Sequence, residues 1–225
     1  MPINDKSIVK VVVPPNVAWL EYKLDSVELD YVWERIKEAE SSNISHKPKL
    51  VGDIHESKLL KDPDDWIFNT TILKLCHVYS DIYENMGNNL PVAKNHNSRT
   101  NSLEKRGGED YPYFLREWWV NYQYQNEFNP VHNHTGVYSF VLWLQIPTDH
   151  EEQNKDNTSN IKLRSSFQFT YSDLLGKFRT HNYDLDKSWE GTMLFFPSKL
   201  IHQVYPFYNN DDARISVSGN ILCKI

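Results

Sequence analysis

Two histidines one residue apart, His132 and His134 in Pro130-Val131-His132-Asn133-His134, are the first side chains whose spacing suggests chemistry. In a strand, residues two apart project from the same face, so both imidazoles can reach one metal ion. A pair of polar surface histidines has the same appearance. A third histidine, His202, sits among apolar residues in Phe195-Phe196-Pro197-Ser198-Lys199-Leu200-Ile201-His202-Gln203-Val204, directly after a turn. By itself it reads as a hydrogen-bonded core or edge histidine. The last segment is Arg214-Ile215-Ser216-Val217-Ser218-Gly219-Asn220. Strict alternation puts Arg214, Ser216, Ser218 and Asn220 on one face, and Ile215, Val217 and Ile221 on the other. An arginine on the crowded inside of a small barrel needs an anion. Its fork suits a carboxylate, and a serine hydroxyl adds one more donor. On a rim the same arginine would sit in a structural salt bridge.

Taken in order, these segments form one constellation: His-x-His, a distal His, then Arg-x-Ser. It resembles the 2-oxoglutarate-dependent iron(II) oxygenases, whose pattern is His-x-Asp/Glu, a distal His and Arg-x-Ser. The resemblance spans roughly Trp118 to Asn220 and is closest to phage- and bacterium-encoded oxygenases of that superfamily. There a tryptophan strand leads to the histidine motif and Phe-Pro-x-x-x-x-His closes the site. Leu50-Val51-Gly52-Asp53-Ile54 also looks like that group, with no chemistry attached to it.

The resemblance implies iron(II) held by His132, His134 and His202, with 2-oxoglutarate as co-substrate. Its far carboxylate would lie on Arg214 and Ser216. Tyr122, or Tyr124 on the same face of the strand, would line that pocket. The implied reaction consumes O2, releases succinate and carbon dioxide, and hydroxylates an unidentified small-molecule or peptidyl substrate. One departure stands out. The family's acidic ligand position holds His134, a neutral group that leaves the metal more positive, and three-histidine sites are typical of oxygenases that do not use 2-oxoglutarate. A second alignment starts the motif at His134-Thr135-Gly136 and resembles the His-x-Gly of iron halogenases. The first is preferred because both histidines project together and the tyrosine spacing then fits.

The elements that must position these residues change character along the chain. Residues 7–13 are β-branched and end at Pro14-Pro15, a strand and a stop. Leu29, Val32, Trp33 and Ile36 have the period of an amphipathic helix, with Ser26 as its cap. Phe68, Ile72, Leu75, Tyr79, Ile82 and Met86 mark a second helix ended by Gly87. Cys76 falls on its apolar stripe and is expected to pack as a small hydrophobe. Both helices are expected on the outer face of a sheet. Residues 88–112 are polar and irregular, either a lid or a mobile loop. From Trp118 onward short apolar stretches alternate with turns: Trp118–Phe128, Val137–Ile146, Phe167–Tyr171, Gly191–Phe196, His202–Tyr205 and Arg214–Leu222. The fold class expected is α+β, a double-stranded β-helix (jelly-roll) core with N-terminal helices on its outer face. The expected layout is one domain over 1–225: a strand and helices to 90, a loop or lid over 91–116, and the catalytic core over 117–225.

Bulk properties agree. The 225 residues are 40% hydrophobic and 13% aromatic, ample for one packed core. A net charge of −6 gives no sign of a nucleic-acid or anionic-membrane partner. No apolar run approaches the ~18 residues of a membrane span, and Met1-Pro2-Ile3-Asn4-Asp5-Lys6 lacks the regions of a secretion signal. Two cysteines make no disulfide framework, and a cytoplasmic protein is expected. Two rival functions stay open: a three-histidine cupin-type metalloenzyme that needs no oxo acid, and a non-catalytic β-sandwich binding or assembly module. Arg214-x-Ser216 argues against the first, since that pair would have no carboxylate to bind.

Overall fold

The computed structural model describes residues 16–42, 44–85 and 113–223. The strand expected at 7–13, the helix end at Met86-Gly87 and the loop at 88–112 lie outside the described residues.

Two helices come first. Strand β1 (Leu20–Lys23) leads into α1 (Ser26–Glu40). The cap of α1 is Asp25 rather than Ser26. Its side chain accepts from the Glu28 backbone N–H, and Glu28 reaches back to the Asp25 N–H, a reciprocal capping box. Strand β2 (Glu56–Leu59) follows, then α2 (Leu73–Asn85), entered through a π-helical turn at Phe68–Ile72.

Eight strands make the core: β3 (Tyr113–Gln123), β4 (Asn129–His132), β5 (Tyr138–Gln145), β6 (Ser166–Ser172), β7 (Phe178–Asp184), β8 (Thr192–Pro197), β9 (Ile201–Val204) and β10 (Arg214–Cys223). A short helix, α3 (His150–Asn154), lies in the polar insert between β5 and β6. The larger antiparallel sheet has the order β1-β8-β5-β10-β3-β2 and the smaller one β4-β9-β6-β7. From β3 onward the chain switches sheet at every step except the β6–β7 hairpin. That alternation is the double-stranded β-helix, with N-terminal helices added. β3 begins at Tyr113, earlier than the boundary expected at 117. β7 was not expected at all: six of its seven residues are exposed, so no apolar alternation announces it.

Each face of the larger sheet buries a different layer. Val32, Ile36, Leu75, Cys76 and Tyr79 of the helices pack on Trp118, Val120, Phe140, Leu142, Val217 and Ile221. Cys76 is fully buried there, and burial pushes its thiol pKa well up, so it behaves as a small hydrophobe. The inner face meets the smaller sheet through Val141, Trp143, Phe167, Phe169, Leu194 and Phe196. Each of these fully buried large side chains contributes roughly 1.5–3 kcal/mol. Near-continuous burial along β5 follows from its position between two apolar layers.

Candidate metal and co-substrate site

The inner faces of β3 and β10 form a ladder of polar rungs. Their register pairs Arg214 with Gln123, Ser216 with Asn121, Ser218 with Trp119 and Asn220 with Glu117. Paired residues share a face, so all eight side chains point between the sheets, and all eight line one cavity of about 230 Å³. At ~3.3 Å per residue the ladder spans roughly 20 Å from Arg214 to Asn220. The His134 ring stands 6.0 Å from that of Trp119 on this ladder, and His132 and His202 line the same cavity.

His132 and His202 are direct cross-strand partners on β4 and β9, with ring centroids 4.2 Å apart. His134 lies just past the end of β4 and comes within 3.1 Å of His202, Nε2 to Nε2. One ligand atom from each of the three lies within 4.8 Å of the others. The tautomers follow from the backbone. His132 Nδ1 donates to the Pro130 carbonyl (2.6 Å) and His202 Nδ1 to the Leu200 carbonyl (2.9 Å). A carbonyl only accepts, so both Nε2 atoms keep a bare lone pair, the form a metal needs. Burial lowers all three pKa values: His134 to about 4, His202 well below the usual range, His132 less strongly. The neighbouring imidazoles push His134 and His202 down further, so all three are neutral ligands at pH 7. Two nitrogens ~2.1 Å from one ion and 3.1 Å apart subtend about a right angle, so the cluster fits a divalent metal with open positions.

At the deep end Arg214 is 1% exposed. It donates from Nη2 to Ser165 Oγ (2.7 Å) and from Nη1 to Gln123 Oε1 (3.4 Å), and lies over the Phe207 ring. Its Nε has no partner, and among the described residues no carboxylate forms an ion pair with it. Burial alone brings its pKa down to about 9. Ser165 is held at φ 61°, left-handed for a non-glycine residue, with its hydroxyl also paired to Thr148 Oγ1.

The structure thus brings together His132, His134, His202, Arg214 and Ser216. It does not bring Tyr122. In the β3–β10 register Tyr122 pairs with Ile215, on the helix-facing side, and its hydroxyl donates to Glu40 Oε1 at 3.0 Å. The reading of Tyr122 as a co-substrate residue is corrected, and Tyr124 is likewise absent from the cavity lining. Gln123, Asn121, Trp119 and Glu117 hold the positions instead. The period-2 stripe Glu117, Trp119, Asn121, Gln123 was a signal that could have shown this. Ser165, His46 and Lys49 had no such signal.

Residues 117–220 match the sequence profile of a family described as "Putative 2OG-Fe(II) oxygenase". This part of the chain is similar to that family. No curated protein sequence is significantly similar to the chain. Among solved structures, the chain is similar to a prolyl-4-hydroxylase from Pseudomonas putida, with 16% identity, coverage of 93% of this chain and 94% of that one, and a TM-score of 0.46. It is also similar to the viral collagen prolyl hydroxylase of Paramecium Bursaria Chlorella virus-1, with 12% identity, coverage of 90% and 94%, and a TM-score of 0.42. Among the described residues, no helix of the chain is long and apolar enough to cross a membrane.

Proposed function

We propose that the protein is an Fe(II)- and 2-oxoglutarate-dependent dioxygenase that hydroxylates its substrate. The observation that carries this reading is Arg214, a buried guanidinium with free N–H capacity and no carboxylate partner among the described residues, in the same cavity as three neutral histidines. A buried cation without a counter-ion is costly, and the anion it calls for must enter the cavity.

His132, His134 and His202 would hold the metal, with the Pro130 and Leu200 carbonyls fixing two of the rings. Arg214 and Ser216 would hold the distal carboxylate of the oxo acid, and Gln123 and Ser165 keep the guanidinium from turning away. Bound there, iron(II) and 2-oxoglutarate supply the oxidising power, so that O2 and the oxo acid are consumed, succinate and carbon dioxide leave, and a substrate C–H becomes C–OH. Trp143, Phe167, Phe196 and Val204 give the cavity apolar walls that exclude water around the reacting groups.

His134 in the usual carboxylate position is the observation that favours a cupin-type three-histidine enzyme. That alternative leaves Arg214 without an anion, so the oxygenase reading is preferred. The test is anaerobic loading with iron(II) and 2-oxoglutarate, exposure to air and measurement of succinate. Production of succinate that depends on both additions is expected. Stoichiometric iron binding without any oxo-acid binding would move the protein to the cupin class.

A further inference from the structure

The end of the cavity away from Arg214 is built by a segment that the oxygenase chemistry does not use. Residues 46–54, between α1 and β2, wall it with His46, Lys49, Leu50, Val51 and Ile54. Gly52 lets this segment press against the start of β4, since a Cβ there would run into Asn129 Oδ1 and the Phe128 carbonyl. An isolated bridge between Asp53 and Phe128 pins it.

His46 is 5% exposed, and neither ring nitrogen has a hydrogen-bond partner. The ring stacks on Trp119 at 4.4 Å and 16°, while its Nε2 stops 3.7 Å from Glu117 Oε2, too far to bond. Trp119 Nε1 is likewise buried without an acceptor. Unmade hydrogen bonds on buried groups are costly, and His46, Trp119 and Glu117 all line the cavity. We propose that this end is the acceptor-substrate subsite, that it takes a neutral amide, and that His46 is the residue that reads it.

The chemistry of the open valences selects that class. Glu117 is ion-paired by Lys49 at 2.7 Å and accepts from Asn220 Nδ2 at 3.5 Å, so no uncompensated charge is left for an ammonium. With Lys49 already paired to Glu117, no free cation among the described residues is left at this end for a carboxylate either. A neutral imidazole offers one donor and one acceptor, and the Trp119 indole adds a donor. An amide answers with one N–H and one C=O on a planar group that can lie along the His46–Trp119 stack. A second, more open cavity of about 410 Å³ shares Lys49 and Glu117 with the first, giving room for a chain to continue beyond the amide. This deepens the oxygenase reading and rests on it only in placing the amide beside the metal histidines.

The test uses metal-free protein and ligand-observed saturation-transfer NMR. Three sets of probes are titrated: N-acetyl amino-acid N-methylamides for backbone amides, benzamide and nicotinamide for primary carboxamides, and the methyl esters matching the first set. At least one amide set is expected to bind saturably, with esters weaker by about tenfold because they lose the N–H donor. His46→Leu should weaken the best amide by about tenfold or more, while His46→Gln, which keeps one donor and one acceptor, should stay within about threefold. Which amide set binds tells peptide from carboxamide. The proposal is overturned if no amide binds, if esters bind equally well, or if His46→Leu binds like wild type. Binding of 2-oxoglutarate with iron(II) is measured on the same proteins and should not change in His46→Leu. Should wild type bind amides but no 2-oxoglutarate, the oxygenase reading fails and the amide subsite stands.

Discussion

His132 and His202 face each other across the β4–β9 pair, and each donates its Nδ1 hydrogen to the carbonyl two residues before it. The same local turn is used twice, once on each strand, and both times it bares Nε2 towards the partner ring. Among the described residues, no carbonyl anchors His134 Nδ1 in this way. His134 is held instead beside Trp119, with ring centroids 6.0 Å apart. Two histidines are therefore set by backbone and the third by packing.

Removal of either anchored ring should remove the metal. His202→Ala and His132→Ala are expected to lose stoichiometric iron(II) binding under anaerobic dialysis while keeping the wild-type circular dichroism spectrum. Wild type loaded at a hundredfold excess over its Kd should gain about 2.7 kcal/mol of unfolding free energy, reversed by chelator. Retention of iron by His132→Ala would instead support the halogenase-like alignment that begins at His134.

Arg214 should control co-substrate affinity. A charge-assisted pair there is worth on the order of 1.5–3 kcal/mol, so Arg214→Ala should weaken 2-oxoglutarate binding by roughly ten- to a hundredfold. Arg214→Lys should rescue only part, because a point charge cannot make two parallel hydrogen bonds. Anaerobic titration of the iron-loaded proteins, read by charge-transfer absorbance, gives the affinities. Equal binding by wild type and Arg214→Ala would remove the anion role.

Tyr122 should be a bystander. Tyr122→Phe loses the hydroxyl bond to Glu40, a loss of no more than about 1 kcal/mol of stability. The same titration should return wild-type 2-oxoglutarate affinity. A tenfold loss would put the tyrosine back in the pocket.

Acid should destabilise the fold partly through His46. Burial lowers its pKa, an effect that Glu117 opposes and Lys49 reinforces. A histidine with a depressed folded pKa binds fewer protons folded than unfolded. Its contribution is fully present above the unfolded value of about 6.5 and is lost as pH falls through the lower folded one. Urea unfolding of metal-free protein should therefore show lower stability at pH 5.5 than at pH 7.5, and a smaller difference in His46→Gln. Equal pH dependence in the two proteins would show that His46 is already solvated.

Gly52→Ala should open the wall of the cavity. The added methyl meets backbone and side chain at 128–129, so the 50–54 segment must shift, at a cost of about 1–3 kcal/mol. Amide affinity should fall while 2-oxoglutarate affinity holds. A variant with unchanged thermal stability would mean that the segment yields freely.

The sequence by itself determined what local period and residue type can determine. Alternation alone separates Arg214, Ser216, Ser218 and Asn220 from Ile215, Val217 and Ile221, and the structure keeps that division. Likewise, the 3.6-residue period of α1 and α2 marks the faces that cover the sheet, because an apolar stripe has to be buried. On β3 the stripe Glu117, Asn121 and Gln123 contrasts with Trp118, Val120 and Tyr122. Which stripe faces the cavity is decided by the pairing of Tyr122 with Ile215 and of Gln123 with Arg214. The same holds for Ser165 under Arg214 and for His46 on Trp119. These contacts join residues far apart in the chain, and their geometry exists only once two sheets and the 46–54 segment have closed around one cavity.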